Sequence, residues 1–232
     1  MLITFEDRPS DSPFVDRVWR SYSQQAGVFH SIAACHWDMV VTRLGGRTIL
    51  TVRGPETKAT MAELPADGEW FGVRFKVGTF MPLMRCGDLR DRHDVNLPNA
   101  TRRSFWLKGS AWEFPTFENA ETFVRRLVRA GLIAVDPTVE GVIRGELRDV
   151  TTRTEQRRVL QVTGLTRGAI HQIVRARRAA LLLRRGIPIL DVVWQAGYYD
   201  QAHLTRSLRR FIGLTPARIA RGEEQLSLLY NE

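Results

Sequence analysis

The sequence predicts an α+β protein, in which a β-rich half precedes an all-α domain containing two helix-turn-helix units. Three observations favour this class. Apolar residues alternate with polar ones before Pro115, the apolar period becomes helical after it, and glycines separate short amphipathic segments towards the C-terminus. We therefore predict a β-rich domain over residues 1–134, with a linking helix at 119–131, and a helical domain over residues 135–232.

Two segments carry the strand prediction in the N-terminal half. Residues 39–53 form two apolar-rich runs around Gly45 and Gly46. A glycine pair suits a tight hairpin because both central residues of a type I′ turn need positive φ. Along residues 70–77, apolar residues at the odd positions alternate strictly with residues of varied type at the even positions. This alternation is typical of a half-buried strand. Short strands of this kind favour a small antiparallel barrel or sandwich.

The next predicted element is the linking helix at 119–131. Asn119 can cap it, an apolar stripe runs through Phe123, and the helix is expected to end near Gly131. A domain boundary is expected at the Asp136 to Pro137 step, because the residue before a proline is disfavoured in helical geometry.

Composition limits the functional classes. With 232 residues, 44% of them hydrophobic and 25% charged, the chain resembles ordinary globular proteins. No run approaches the roughly 18 apolar residues that a membrane span needs, and the first residues do not resemble a signal peptide. We therefore expect a cytoplasmic protein with no membrane partner. Cys35 and Cys86 are too few for a disulfide framework, so buried thiols are predicted.

The net charge of +9 is distributed unevenly. From Thr138 onward there are 16 arginines and no lysines against 9 acidic residues, a net charge of +7, whereas the preceding part carries only +2. A basic module favours a polyanionic partner, because phosphate neutralisation dominates non-specific affinity for nucleic acids. On charge alone, a solvated basic face is an equally good interpretation.

The clearest pattern lies at 189–215. A short amphipathic helix from Ile189 is closed by Gly197, Tyr198 can plug the angle between two helices, and Asp200 can cap the next helix. This order of features is typical of a helix-turn-helix unit that reads DNA. The alternative is an ordinary helical hairpin with a basic face exposed to water.

The second helix of this unit should run from Gln201 to about Phe211. Leu204, Leu208 and Phe211 recur at spacings of four and three, which predicts its buried stripe. Glutamine and arginine can each form two hydrogen bonds with adenine or guanine edges, and arginine also suits phosphates. The residues left on the exposed side are Gln201, His203, Arg206, Arg209 and Arg210.

An earlier segment has a similar pattern of a capped helix with buried apolar residues and exposed polar ones. Thr151 can cap a helix over 152–162 that buries Val159 and Val162 and exposes Arg153, Gln156 and Arg157. After Gly164, a strut helix is predicted over 167–185, with packing positions at Ile170, Ile173, Val174, Leu181 and Leu182. The two reading helices could then enter major-groove segments about 34 Å apart on one DNA face.

Residues 139–221 resemble the DNA-binding domain of the AraC/XylS family of transcription regulators. The string DVVWQAGYYDQAHLTRSLRRFIGLTPA from Asp191 carries the resemblance, and TTRTEQRRVLQVTGLT from Thr151 is similar to the family's first reading helix and its exit turn. Residues 144–149 depart from the family, which usually has an apolar, alanine-bearing helix and a glycine turn there. The resemblance implies base contacts at Arg153, Gln156, Arg157, Gln201, His203 and Arg206, and the full predicted DNA-binding set adds Thr151, Thr205, Arg209 and Arg210.

The resemblance also implies an N-terminal sensor domain, commonly a cupin-like β-barrel that binds a small molecule or mediates dimerisation. An apolar pocket for an aromatic or amphipathic anion could be closed by Arg74 and lined by Trp37, Trp70, Trp106 and Trp112. The predicted ligand-binding residues are Trp37, Trp70 and Arg74. Plain core packing is the alternative. The implied partners are double-stranded DNA, a small-molecule effector, a second copy of the chain and, for an activator, RNA polymerase.

A second functional class stays open at this stage. A cupin-like enzyme, or a protein that binds a metal or small molecule, could carry the helical domain as a targeting device. No two histidines lie at a one-turn or alternate-strand spacing, and no cluster of histidines with carboxylates is visible. We therefore predict a regulator with no catalytic residues, no metal site and no cofactor.

Overall fold

The computed structural model describes residues 3–91, 93–144 and 153–222. The strands are β1 (Ile3–Pro9), β2 (Val15–Ser23), β3 (Gly27–Ser31), β4 (Asp38–Leu44), β5 (Arg47–Arg53), β6 (Thr60–Leu64), β7 (Gly68–Phe75), β8 (Thr79–Phe80), β9 (Val95–Leu97), β10 (Asn99–Thr101), β11 (Ser104–Leu107), β12 (Ser110–Glu113) and β13 (Ala134–Val135). The helices are α1 (Ala120–Arg129), α2 (Pro137–Arg144), α3 (Arg153–Thr163), α4 (Arg167–Arg184), α5 (Ile189–Gln195), α6 (Gln201–Phe211) and α7 (Pro216–Arg221). The predicted α+β class is confirmed.

A six-stranded antiparallel sheet dominates the N-terminal half, with strand order β1-β2-β7-β4-β5-β9. The hairpin between β4 and β5 turns on Gly45 and Gly46, whose φ angles are 55° and 73°. Both glycines therefore adopt the left-handed conformation that the sequence predicted. Strands β1 and β9 form the two edges of this sheet, so its hydrogen bonding is that of an open sheet within the described residues.

Strand β7 shows how side-chain alternation builds the core. Val73 and Phe75 are fully buried on one face of the sheet, and Phe71 packs against the same core. On the other face, a Cβ atom at Gly72 would lie 2.1 Å from the indole ring of Trp19. Glycine is therefore required where that ring crosses the strand. The strand ends at Phe75, two residues before the predicted end.

Helix α1 covers the same core. Phe123, Val124 and Leu127 lie on its buried side, as the apolar stripe predicted. Asn119 is the N-cap residue, as predicted, but its side chain makes no hydrogen bond to the helix. Its Oδ1 atom instead accepts a hydrogen bond from the backbone N–H of Thr116 at 2.9 Å. The side chain therefore stabilises the preceding turn.

The chain packs into two compact units that alternate along the sequence. Unit 1 comprises Met1–Gly27, His36–Pro55 and Leu64–Arg167, and unit 2 comprises Val28–Cys35, Glu56–Glu63 and Gly168–Glu232. Unit 2 therefore combines α5, α6, α7 and nearly all of α4 with two short segments from the N-terminal third. A single boundary at residue 135 stays a prediction for fragments that fold independently.

In unit 1, Asp136 joins the first two C-terminal helices. Its Oδ1 atom accepts hydrogen bonds from the backbone N–H groups of Thr138 and Val139, at 3.0 and 3.3 Å. Helix α2 therefore starts with an aspartate cap followed by a proline, the preferred order at a helix N-terminus. The Oδ2 atom accepts from Arg158 Nε of α3 at 2.5 Å. One carboxylate thus fixes both helices.

The packed face of α4 differs from the predicted one. Ile170 and Ile173 are buried as expected, but Val174 is 52% exposed. Three alanines, one arginine and one leucine complete the buried stripe in its place, at Ala176, Arg177, Ala179, Ala180 and Leu183. Hydrophobicity alone favours a valine over an alanine in the core. Close packing of a helix favours the smaller alanine.

Two further features bear on function. Both cysteines lie within the described residues, are buried and remain thiols, as predicted, and burial raises the pKa of the Cys86 thiol to about 12. Such a thiol stays protonated at neutral pH and is a poor nucleophile. Of the helices in the described ranges, none is long and apolar enough to cross a membrane.

Candidate nucleic-acid interface

Helices α5 and α6 form the helix-turn-helix unit that the sequence predicted. Gly197 has a φ of 68° in the turn, where an L-residue with a side chain would be strained. Tyr198 is 3% exposed, and its hydroxyl shares a hydrogen bond of 2.9 Å with that of Ser207 in α6. The tyrosine therefore fills the angle between the helices, and its hydroxyl is bonded to α6.

Arg175 of α4 supports this turn from outside. Its guanidinium lies 4.5 Å from the centre of the Tyr198 ring, and its Nη1 atom donates to the Gly197 carbonyl at 3.3 Å. No pattern in the sequence indicates this residue, because a cation above an aromatic ring leaves no periodic signal when the two lie 23 positions apart. Arg175 connects α4 to the turn before the reading helix.

Asp200 starts α6 as an N-cap. Its backbone is extended, with φ −153° and ψ 175°, and its Oδ1 atom accepts from the backbone N–H of His203 at 2.6 Å. The buried residues of the helix are Leu204, Ser207, Leu208 and Phe211. Both the cap and the helical register that the sequence predicted are therefore confirmed.

The cap gives the first testable prediction. We expect Asp200→Ala to lower the free energy of unfolding by about 1 kcal/mol, since one N–H at the start of α6 loses its acceptor. Asp200→Asn keeps an acceptor oxygen and should retain most of this stability. Denaturant titration of the full chain measures both. Equal stability of the alanine and asparagine variants would contradict the capping role.

The exposed side of α6 carries the cations. Arg206 and Arg209 are exposed and three residues apart, so they share the helix face opposite the buried stripe. Gln201 and Arg210 are also exposed, and the Arg210 guanidinium lies 5.0 Å from the centre of the Phe211 ring. Four of the predicted DNA contacts in this helix are thus accessible to a partner.

Two other predicted contacts of α6 are engaged within the unit. The His203 ring meets the Tyr198 ring edge-on, with centroids 5.1 Å apart, and is half-buried. The Thr205 hydroxyl donates to the Gln201 carbonyl at 2.8 Å. His203 therefore packs against Tyr198. Thr205 can offer its methyl group and its hydroxyl lone pairs to a partner.

The earlier reading helix, α3, belongs to unit 1. Arg153, Gln156 and Arg157 are exposed on it, and Val159 and Val162 are buried as predicted. The predicted cap Thr151 lies outside the described residues. So do most of residues 144–149, where the sequence departs from the family pattern. The placement of α3 and α6 on one DNA face stays a prediction.

Unit 1 also contains a cavity of about 650 Å³. Strands β1, β2, β4 and β7 and the segment 115–118 line it. Its walls combine five aromatic residues with charged ones, namely Phe5, Tyr22, Trp70, Phe71 and Phe117 with Glu6, Arg20, Arg43, Glu69 and Glu118. The charges form half-exposed pairs, with Arg20 2.6 Å from Glu6 and Arg43 3.5 Å from Glu69.

The three predicted ligand-binding residues are not brought together. Trp70 lines the cavity. Trp37 stacks on Phe75 with ring centroids 3.8 Å apart and is 4% exposed. Arg74 is also 4% exposed and lies 3.6 Å from Asp38. Neither Trp37 nor Arg74 lines the cavity, since Trp37 packs in the core and Arg74 is buried beside Asp38. Among the described residues, no group of three or more His, Cys, Asp or Glu side chains could hold a metal ion.

Comparison with known protein families agrees with the helical geometry of α5 and α6. Residues 148–222 match the family model described as a helix-turn-helix domain. Two crystal structures of ToxT from Vibrio cholerae are similar at 12% and 9% identity, each with a TM-score of 0.42 and covering 94% of this chain and 98% of that chain. The second is bound to (E)-4-(8-methylnaphthalen-1-yl)but-3-enoic acid. Among proteins with curated functions, none matches significantly.

Proposed function

We propose that the chain, whose residues 148–222 match a helix-turn-helix family model of the AraC type, is a sequence-specific DNA-binding transcription regulator. The exposed face of α6 is the observation that carries this proposal. It presents Gln201, Arg206 and Arg209 on a helix that is capped at Asp200 and held by a buried stripe. A helix of this kind fits the major groove, where such side chains discriminate adenine and guanine edges.

Charge supports the same proposal. The chain carries a net charge of +7 from Thr138 onward, all of its basic residues there being arginines. Arginines on both reading helices can neutralise phosphates and release counterions, which supplies the part of the affinity that does not depend on sequence. The combination of phosphate contacts and base-edge contacts is what a sequence-specific regulator needs.

Selection from a library of random-sequence duplexes tests this proposal. The full chain should enrich a defined site, and its affinity for that site should exceed its affinity for a shuffled duplex by about 1,000-fold or more. Both affinities should fall as the salt concentration rises. If selection enriches no site, or if binding is indifferent to salt, the chain is not a DNA-reading regulator.

We further propose that the cavity of unit 1 binds a small-molecule effector with an aromatic, amphipathic character. Its volume of about 650 Å³ lies within the range of about 300 to 1,000 Å³ that is usual for ligand pockets. Aromatic side chains line it, and the guanidinium of Arg20 lies 4.6 Å from the centre of the Phe117 ring. A charged ligand group can replace Glu6 or Glu69 as the partner of an arginine. Such a ligand regulates DNA binding only if its affinity differs between binding-competent and incompetent states.

A fluorescent amphipathic anion, anilinonaphthalene sulfonate, probes this cavity. We expect Phe117→Ala to weaken its binding about tenfold, since the ligand loses an aromatic wall. Trp106→Ala is the matched control, because this aromatic residue is 46% exposed and does not line the cavity. Fluorescence titration of the full chain measures both affinities. Equal effects of the two substitutions would place the probe elsewhere on the protein.

A further inference from the structure

Two segments from the N-terminal third of the chain pack within unit 2. We call them the ribbon, defined as Val28–Cys35 and Glu56–Glu63. Strands β3 and β6 pair within it and supply half of its residues. Reciprocal hydrogen bonds of 2.9 and 3.0 Å between the backbones of Ala34 and Glu56 close one end. The ribbon is therefore a hydrogen-bonded element that belongs to the same compact unit as the second reading helix.

The ribbon caps the C-terminus of α6. The last carbonyl groups of a helix have no donor within the helix and must find one elsewhere. The Arg210 carbonyl accepts from the backbone N–H of Ala59, and the Phe211 carbonyl from that of Ala33, each at 2.8 Å. Two terminal carbonyls of the reading helix thus obtain their donors from residues about 150 and 180 positions earlier in the chain.

The same part of the ribbon is attached to α4. Arg177 is 7% exposed, and its Nη1 atom donates to the Ala33 carbonyl at 3.3 Å. Nearby, the Cys35 Sγ atom lies 3.8 Å from the carbonyl oxygen of Ile170. Ala33 therefore accepts from α4 through its carbonyl and donates to α6 through its N–H. This fully buried residue links the two helices.

The loop that follows α6 fits closely against the ribbon. Gly213 has a φ of 88°, and a Cβ atom at this position would lie 2.8 Å from His30 Nδ1. Glycine is needed there for both its conformation and its small size. The contact extends the attachment of the ribbon from the last turn of α6 to the connection with α7.

We infer that the ribbon is a positioning element of the second reading helix. It holds the end of α6 against α4, so the N-terminal third of the chain sets how accurately α6 meets base edges. Hydrogen bonds to bases depend steeply on distance and angle, whereas phosphate attraction acts over about a Debye length. Loosening the ribbon should therefore reduce affinity for a specific site more than affinity for DNA in general. This inference rests on the proposed function.

Arg177→Met in the full chain tests it, with Arg178→Met as the matched control. Arg178 is the next residue of α4, is exposed, and loses the same charge on substitution. The probes are the duplex that the wild-type chain enriches from the random library and a shuffled duplex of the same length. We expect Arg177→Met to lower the ratio of specific to non-specific affinity about tenfold. Arg178→Met should leave the ratio unchanged, and Arg177→Lys, which keeps a donor, should recover part of it.

Amide hydrogen exchange in the wild-type chain provides a second measurement that does not depend on how a variant folds. The amides of Ala33 and Ala59 should be protected as strongly as those of α6, and bound DNA should slow the exchange of all of them together. Exchange at the rate of an exposed loop would overturn the inference, as would equal ratios for Arg177→Met and Arg178→Met. If the wild-type chain enriches no duplex, the proposed function fails instead, while the exchange result still reports on the ribbon.

Discussion

Leu208→Ala is expected to destabilise unit 2 by about 2 to 5 kcal/mol, the usual cost of truncating a buried leucine. Leu208 is 0% exposed and lies beside Leu204 on the buried stripe of α6. The substitution removes apolar contacts and leaves a cavity. Because α6 is held by its cap at Asp200, the helix cannot easily move to fill this cavity. Since folded domains are stable by only about 5 to 15 kcal/mol, this loss should be visible as early melting of the helical signal.

Leu190→Ala is the matched control for this prediction. Leu190 is in α5 of the same unit but is 63% exposed, so its truncation should change the free energy of unfolding by no more than about 0.5 kcal/mol. Denaturant titration followed by far-ultraviolet circular dichroism compares the two variants. An unchanged midpoint for Leu208→Ala would mean that the register of α6 is different from the one described.

The helix-turn-helix unit was predictable from the sequence because its signals are local. A turn glycine at 197, an aromatic residue at 198 and a cap at 200 follow one another directly, and the stripe of α6 repeats every three or four residues. The β4–β5 hairpin was predictable for the same reason, since Gly45 and Gly46 lie between its strands. In both cases the residues that fix the geometry are neighbours in sequence.

Features that depend on distant residues were not predictable in this way. The ribbon donates backbone N–H groups to α6, and the residue type at Ala33 or Ala59 gives no sign of this. Val174 was placed in the core on hydrophobicity alone, although Arg177 is buried with its guanidinium bonded to the Ala33 carbonyl. The Ala33 carbonyl is one acceptor for this buried guanidinium, and a buried charged group needs such partners.

The lining of the cavity in unit 1 also depends on distant residues. Strand alternation placed Phe71 and Trp70 on opposite faces of the sheet, yet both line the cavity, and alternation does not show what covers each face. The segment 115–118, which is not part of the sheet, also lines the cavity. Phe117 therefore contributes a wall that no pattern in the strands could indicate.

Arg206→Ala is expected to reduce affinity for the selected duplex by about 10-fold to 100-fold, since a base-edge contact by arginine is worth about 1 to 3 kcal/mol of discrimination. Arg206 is exposed and lies opposite the buried stripe of α6. Its removal leaves no cavity and no unpaired buried group, so the free energy of unfolding should hardly change. The loss should therefore appear in binding alone, and at the base positions that Arg206 contacts.

Arg209→Ala separates base reading from simple charge in this experiment. It removes one cation from the same exposed face, three residues later in α6, where the resemblance implies no base contact. Loss of a phosphate contact should lower the affinity for the specific duplex and for the shuffled duplex equally, and it should reduce the salt dependence of binding by about one counterion. Arg206→Ala should instead lower the affinity for the specific duplex much more than the affinity for the shuffled one. If both variants lower the affinity for the two duplexes by the same factor, Arg206 binds phosphate. Discrimination between base sequences must then come from Gln201, His203 or the residues of α3.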